Sequence, residues 1–194
     1  MLSRLLCGLS LTYVLVMGSG CNSTSGGGGG GGGNTRPDLT AYQLDGSHPE
    51  MEADITALTA AYNAALVCVG DDDITFTDQQ NLDGLKASYA GDAAGFPAYV
   101  TASRRLIEDG SEEICTYDLG EDPTLDALIA SITADRNRGR ECRGDDPVIT
   151  DENSLDYLKH GYLAQILSYE NMTDAAQTLA RSTATLADEA CSEQ

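Results

Sequence analysis

Two short acidic runs are the first groups in this sequence whose type and spacing could bind a ligand. Each follows a glycine: Gly70 precedes three aspartates and Gly144 precedes two. Carboxylate oxygens are ligands that Ca²⁺ prefers, so both loops are candidate sites for a divalent cation. The candidate ligands are Asp71, Asp72, Asp73, Asp145 and Asp146. Their spacing does not match the ligand series of a helix–loop–helix calcium site, and the alternative is a solvated turn whose carboxylates favour the start of the next helix.

An arginine cluster is the second group. Four of the chain's 11 basic residues lie between positions 136 and 143. Arg136, Arg140 and Arg143 share one face of a helix because they are three or four residues apart. Such a cluster suits a docking patch for an acidic partner or a phosphorylated glycan. The alternative is that these cations offset the dipole at a helix C-terminus and pair with Asp145 and Asp146.

The two histidines form no recognisable catalytic or metal-binding motif. His48 precedes a proline in a predicted loop, and His160 lies on a predicted helix. Neither has a second histidine at ligand spacing, and the sequence contains no nucleophile-elbow, zinc-protease or phosphate-loop motif. We therefore expect no catalytic residues and no cofactor; a hydrolase that depends on His160 is an alternative.

The first 21 residues have the order of charged and apolar residues that is typical of an export signal. Arg4 is followed by 13 mostly apolar residues, 5–17, which as a helix are about 20 Å long, too short for a hydrocarbon core of about 30 Å. The run leads into Gly18-Ser19-Gly20-Cys21. Small residues directly before a cysteine resemble the lipobox of bacterial lipoproteins, although that pattern prefers an apolar residue at the position of Gly18. The alternative is ordinary signal-peptide cleavage.

The resemblance to bacterial lipoproteins implies that residues 1–20 are a signal peptide. It also implies that Cys21 carries a diacylglycerol on its thiol, often with a further acyl chain such as palmitate on its amine. Two chains hold a protein stably at a membrane. Residues 21–37 then form the lipidated cysteine and a tether, since they include eight consecutive glycines that cannot bury apolar surface. Asn22, where an aspartate would imply the inner membrane, implies the outer membrane.

The rest of the chain contains an internal repeat. Aligning Pro49–Tyr89 with Pro123–Tyr162 gives 17 identical residues and needs one single-residue gap. Both segments share the opening proline, a Cys-x-Gly-Asp-Asp run and a Leu-Asp-x-Leu-Lys run. This similarity predicts a tandem duplication, with residues 38–122 as the first helical repeat and residues 123–194 as the second.

Each repeat has the hydrophobic pattern of three helices. In helix one, apolar residues recur at steps of three and four, as expected for one buried stripe. The stripe comprises Met51, Ile55, Leu58, Tyr62, Leu66 and Val69 in the first repeat and Leu125, Ile129 and Ile132 in the second. Helix two begins at a capping threonine, Thr77 or Thr150, and helix three covers about residues 97–109 or 173–190. The predicted fold is all-α, a six-helix bundle made of two three-helix units.

Four cysteines lie beyond Cys21. An even number in an exported chain indicates disulfides, and four cysteines allow three pairings. Helices one and three of an up-down-up unit end at the same pole. This geometry favours the pairs Cys68–Cys115 and Cys142–Cys191, one staple per repeat. Metal binding is the alternative, but the four cysteines lack C-x-x-C spacing.

The charge balance restricts the partners. The chain has 11 basic and 31 acidic residues, a net charge of −20 at pH 7. Nucleic acid is excluded as a partner because phosphate binding needs a basic footprint. We expect a non-catalytic interaction module at the bacterial envelope, of the immunity or assembly type, whose acidic surface captures a basic partner protein. A calcium-binding envelope protein is the first alternative, and a hydrolase of envelope polymer is the second.

Overall fold

The computed structural model describes residues 36–193 and is all-α over that range, with six α-helices and no strand. The helices are α1 (Pro49–Cys68), α2 (Asp78–Ser88), α3 (Phe96–Thr116), α4 (Pro123–Cys142), α5 (Asp151–Ala164) and α6 (Met172–Ser192). Short 3-10 turns at Ala93–Gly95 and Ile166–Ser168 precede α3 and α6. The predicted signal peptide, Cys21 and most of the tether lie outside the described residues. None of the described helices combines the length and the apolar character that crossing a bilayer requires.

The helices begin where the sequence supplies a cap. Thr77 starts α2 and Thr150 starts α5 with capping boxes, in which the threonine hydroxyl accepts a hydrogen bond from the backbone N–H three residues later. Asp122 caps α4 in the same way, and Pro49 and Pro123 occupy the first turns of α1 and α4. Proline suits this position because its missing N–H has no helical partner there. The starts of α2 and α5 at these threonines agree with the sequence prediction.

We call residues 36–122 the first half of the chain and residues 123–193 the second half. Within the described residues, one hydrophobic cluster contains side chains from both halves. Leu58 of α1, Ile107 of α3 and Leu158 of α5 belong to it and expose almost no surface. Burying each such side chain contributes about 1.5–3 kcal/mol. The second half packs on α3 of the first through α5, the second 3-10 turn and α6. The two halves therefore share a core.

The two halves repeat the same local structure. Helices α1 and α4 have 20 residues each, and α3 and α6 have 21 each. The side chain of Asn63 donates to the carbonyl of Phe76 and accepts from its N–H, and Asn137 makes the same two bonds with Ile149. Equivalent bonds of this kind support the interpretation of the chain as a tandem duplication.

Each half has one disulfide between the ends of its two long helices. Cys68 at the end of α1 bonds Cys115 near the end of α3, and Cys142 at the end of α4 bonds Cys191 near the end of α6. These are the pairs that the up-down-up geometry predicts. The bonded cysteines are 47 and 49 residues apart. In the chain-entropy model, closing loops of this length contributes about 4 kcal/mol each.

The third helix of the first half is longer than the sequence predicts. Helix α3 runs from Phe96 to Thr116, so the predicted end at Asp109 is wrong. The next residue, Gly110, is buried within the helix, and a Cβ atom there would lie 2.7 Å from side-chain atoms of both Tyr162 and Ile166. Close packing between the halves, and not a helix end, accounts for this glycine.

Candidate functional site

The two acidic runs do not come together in the structure. Asp71 lies at the junction of the halves, with its Oδ2 atom 3.3 Å from Nδ1 of His160 on α5. Asp145 lies after α4, with its Oδ2 atom 3.9 Å from Nε of Arg143. The other three predicted ligands are exposed: Asp72, Asp73 and Asp146. Within residues 36–193, no three His, Cys, Asp or Glu side chains are close enough together to hold a metal ion.

The two histidines also lie apart. The ring of His48, directly before α1, packs 4.9 Å from the ring of Tyr42. His160 contacts Asp71 and thereby links α5 to the loop that follows α1. This contact therefore joins the two halves of the chain.

In the first half, α1 and α3 form a groove that the second half fills, which we call the filled groove. Tyr62 and Leu66 on α1 are buried, and so is Gly110 on α3. The absence of a side chain at Gly110 allows Tyr162 and Ile166 of the second half to approach α3 closely. Helix α5 contacts both α1 and α3. The filled groove thus receives the C-terminal end of α5 and the turn that follows it.

Buried phenols and one carboxylate lie at this junction. Burial, together with the nearby charge of Asp71, raises the pKa of Tyr62 to about 12. Burial and the neighbouring carboxylate of Glu113 raise the pKa of Tyr162. Glu113 also accepts a 2.7 Å hydrogen bond from the N–H of Met172, the first residue of α6, where a negative charge complements the helix dipole. Both phenols therefore remain protonated at neutral pH.

In the second half, α4 and α6 form a groove of about 260 Å³ that is open to solvent. We call it the open groove. Its lining residues are Asp135, Arg136, Gly139, Arg140, Arg143, Ile149, Thr183, Leu186 and Ala187. The three arginines that the sequence predicts on one helical face therefore share one concave surface. The groove is smaller than the roughly 300–1,000 Å³ of typical small-molecule sites, and its size suits one large side chain.

The open groove lies at the position in the second half that the filled groove has in the first. Four lining residues of the open groove align with buried residues of the first half. The pairs are Tyr62 and Arg136, Ala65 and Gly139, Leu66 and Arg140, and, counted back from the disulfide cysteines, Gly110 and Leu186. Apolar side chains on α1 are replaced by arginines on α4, and a glycine on α3 is replaced by a leucine on α6. In the second half, the corresponding helix face is thus cationic and borders an open groove.

The arginines of the open groove bond mainly to uncharged groups of the protein. One terminal nitrogen of Arg136 donates 3.4 Å hydrogen bonds to a backbone carbonyl and a serine hydroxyl in the first turn of α5, and its guanidinium lies 4.6 Å above the ring of Tyr157. Nε of Arg140 donates a 2.8 Å hydrogen bond to a backbone carbonyl in the following loop. Among the described residues, the one carboxylate within salt-bridge distance of these three arginines is that of Asp145, at 3.9 Å from Arg143. Their guanidinium groups therefore keep donors that could bind an acidic ligand.

The acidic side chain in the lining of the open groove is already paired. Asp135 lies 2.9 Å from Arg138, which also pairs with Asp188 on α6 at 2.6 Å. Arg138 does not line the groove. The fourth arginine of the cluster therefore neutralises the carboxylate of Asp135, and the net charge of the groove is positive.

A second concavity, of about 310 Å³, lies between α5 and α6, and we call it the α5–α6 cleft. In the first half Tyr99 fills the equivalent space, with its hydroxyl 2.9 Å from that of Ser88. The second half has Ala175 and Gly161 at these two positions, so the space stays open. The cleft adjoins the open groove at Tyr157, which lies under Arg136. The sequence analysis did not predict this cleft. The sequence signal that indicates it is the smaller side chain at two aligned positions of the second repeat.

Comparisons with known proteins add nothing to this geometry. No protein-family model, curated protein or solved structure matches the chain. The functional interpretation therefore depends on the chain's own residues, above all on those of the open groove.

Proposed function

We propose that this protein is a lipid-anchored bacterial envelope lipoprotein that acts as a non-catalytic protein-interaction module through its open groove. The pair of equivalent grooves carries the proposal. The first half binds a helix end of the second half in its groove, and the second half presents the equivalent groove to solvent. A face that packs a helix within the chain is suited to bind a helix of another protein.

The composition of the groove supports this proposal. Leu186 on its wall is 60% exposed, and Tyr157 below Arg136 and Val148 beside the lining residue Ile149 are exposed as well. Arginine and aromatic side chains are enriched at protein–protein interfaces and among the residues that dominate binding energy. Exposed apolar side chains beside arginines are therefore what a docking surface needs.

In this proposal the N-terminus provides the anchor. Residues 1–20 and Cys21 resemble the signal peptide and lipidated cysteine of lipoproteins. At the other end of the tether, Arg36 donates a hydrogen bond to the carbonyl of Ala87 at the end of α2. A glycine-rich segment of this length spans about 20–25 Å as a random coil. The open groove, in the other half of the bundle, then stays within reach of proteins at the same membrane.

A second mode of interaction uses the acidic surface outside the groove. The net charge of −20 favours it, as do the exposed carboxylates of Asp72, Asp73 and Asp146. In this mode the protein captures a basic partner of the immunity or assembly type by electrostatic complementarity. Such capture weakens with added salt and does not depend on the arginines of the open groove.

Cell fractionation combined with affinity capture tests the proposal. We expect the wild-type protein in the membrane fraction and Cys21→Ser protein in the soluble fraction. We expect the Arg136→Glu/Arg140→Glu variant to capture about tenfold less partner than wild type, because the reversed charges repel an acidic ligand. The matched control is Arg105→Glu/Arg181→Glu, which makes the same charge change at exposed positions outside the groove.

Each arm has an opposing result. Cys21→Ser protein that stays with the membrane would exclude the lipid anchor. Equal capture by the groove variant and by wild type would exclude the groove as the binding surface. If that capture were also lost at high salt, the acidic surface would be the binding surface instead.

A further inference from the structure

The filled groove shows what kind of group this helix pair accommodates. It receives a helix end and the turn after it, and Tyr162 and Ile166 are the side chains that lie against α3. Both are almost fully buried. Both lie against Gly110, so the end of α5 and the turn after it present them on one side. The groove therefore binds a large apolar side chain delivered from a helix end.

Compared with the filled groove, the open groove also has an apolar floor, but different residues form its rim. Gly139 and Ala187 bring α4 and α6 close together, since a Cβ atom at Gly139 would lie 3.5 Å from Cα of Ala187. Ile149 and Leu186 supply apolar surface. The rim carries arginines where the filled groove has Tyr62 and Leu66. The leucine that replaces Gly110 makes the open groove shallower on the α6 side.

We propose that the open groove binds a helical protein segment that carries carboxylates beside one large apolar side chain. Guanidinium groups bind carboxylates with paired, charge-assisted hydrogen bonds, and Arg136, Arg140 and Arg143 offer three of them. The apolar side chain contacts Leu186 and Ala187, as Ile166 contacts α3 in the filled groove. This inference names the ligand of the interaction module proposed above and depends on that proposal.

The overall acidity of the protein does not prevent this binding. At physiological ionic strength, interactions between exposed charges are largely screened beyond about 8 Å. An acidic segment in the groove is closer than that to the three arginines, and Asp135 in the lining is already paired with Arg138. Local attraction therefore outweighs repulsion from more distant carboxylates.

The N-terminal segment of the chain argues against a second copy as the ligand. In the first half, the end of α2 and the turn after it correspond to the helix end that fills the groove. Arg36 donates to the carbonyl of Ala87 there, and the hydroxyl of Tyr42 donates to the carbonyl of Ala93 at 2.7 Å. The ring of Tyr42 also packs 5.2 Å from that of Phe96. Head-to-tail assembly would displace this segment, so we assign the groove to a different protein.

The apolar floor argues against a phosphorylated glycan. A sugar phosphate would satisfy the arginines but would leave Ile149, Leu186 and Ala187 facing polar hydroxyl groups. A peptide satisfies both parts of the groove. We therefore treat phosphate binding as an outcome of the experiment.

Calorimetric titration of the full-length protein with synthetic helical peptides tests the inference. The acidic peptide carries one isoleucine, the residue type of Ile166, flanked by glutamates, and the matched peptide has lysine in place of each glutamate. Inorganic phosphate is the third probe. The proteins are wild type, Arg136→Glu/Arg140→Glu, and the charge-matched Arg105→Glu/Arg181→Glu, each checked for intact disulfides and helix content.

We expect the acidic peptide to bind wild type and Arg105→Glu/Arg181→Glu equally, and to bind Arg136→Glu/Arg140→Glu at least about tenfold more weakly. The lysine peptide should show the opposite preference. This exchange of preference requires direct contact between the peptide charges and positions 136 and 140, which a merely structural effect of the substitutions would not produce.

Three results would overturn the inference. Equal binding of both peptides to wild type would mean that the ligand need not be acidic. Arginine-dependent binding of phosphate alone would assign the groove to a phosphorylated ligand. If no probe binds but capture from cells still depends on Arg136 and Arg140, this ligand class is excluded and the interaction module is not. If capture does not depend on these arginines either, both the ligand class and the groove as a binding site are excluded.

Discussion

Gly110 and Leu186 occupy equivalent positions on α3 and α6, and the difference between them decides how the two grooves are used. At Gly110 the second half approaches so closely that a Cβ atom would lie 2.7 Å from Tyr162 and Ile166. At Leu186 a large side chain stands in the same place and is exposed to solvent. One groove is therefore closed by the protein itself, and the other is available to a ligand.

Substitution of Gly110 should destabilise the junction between the halves. We expect Gly110→Ala to cost about 1–2 kcal/mol, because the clash with two buried side chains exceeds the gain in helix propensity. The matched control is Gly161→Ala on α5, where a Cβ atom meets no atom within 4 Å. Thermal unfolding should show a fall of a few degrees for the first variant and no fall for the second. Equal melting temperatures would mean that the junction is looser than the structure shows.

Tyr62 should make the protein sensitive to alkali. An unfolded tyrosine ionises near pH 10, whereas Tyr62 in the folded protein has a pKa of about 12. The unfolded state therefore releases its proton first, and the folded state loses about 2–3 kcal/mol as the pH rises between these two values. Urea unfolding at stepped pH should show this loss for wild type and a smaller loss for Tyr62→Phe. The same loss in both proteins would contradict the assignment to Tyr62.

At the level of residues, the sequence predicts contacts that follow from helical spacing. Arg136, Arg140 and Arg143 share a face because they are three or four residues apart, and the structure brings them into one groove. The contact between Asp71 and His160 could not be predicted, because it joins residues far apart in the chain whose proximity depends on how the halves pack. Asp71 is an example of a candidate metal ligand that the structure places against a histidine on the other half.

At the level of elements, caps and periodicity are local signals, and they predict the six helices in the order that the structure has them. The starts of α2 and α5 at Thr77 and Thr150 depend on side chains three residues away. The disulfide pairs follow from the up-down-up course of three helices. The predicted end of α3 at Asp109 is wrong, because the glycine that follows is a packing position and not a helix end. Gly110 allows close contact between the halves, and a contact of that kind leaves no local sequence pattern.

Removal of the two disulfides should have different effects on the local stability of the helix ends that they join. The end of α1 is also fixed by buried Tyr62 and Leu66, whereas the end of α4 carries Arg136 and Arg140 at the equivalent positions. Loss of either staple should cost about 4 kcal/mol. In addition, we expect Cys142→Ser/Cys191→Ser to lose hydrogen-exchange protection locally over residues 136–142.

The control is the equivalent variant of the first half, Cys68→Ser/Cys115→Ser. Its amides at residues 62–68 should keep their protection relative to global unfolding, because the core still covers them. Equal local opening at both helix ends would show that burial at the end of α1 does not replace the staple.

At the level of the whole molecule, the arrangement of the halves could not be predicted from the repeat. The alignment of the two repeats shows that their helix-one ends diverge, but it does not show that one end is covered and the other is open. That difference arises because the second half packs into the groove of the first and nothing within residues 36–193 packs into its own. When two similar units pack in this way and only one groove is filled, the groove of the other unit stays open.

Site-specific photo-crosslinking in intact cells tests most directly whether that groove binds a partner. A photoreactive phenylalanine analogue replaces Leu186 in the open groove or, as the matched control, Val67 on α1; these side chains are 60% and 61% exposed. We expect a discrete crosslinked product from position 186 that is lost in Arg136→Glu/Arg140→Glu protein, and none from position 67. Products of equal yield from both positions, or a product at position 186 that persists in the charge-reversed protein, would contradict binding in the open groove.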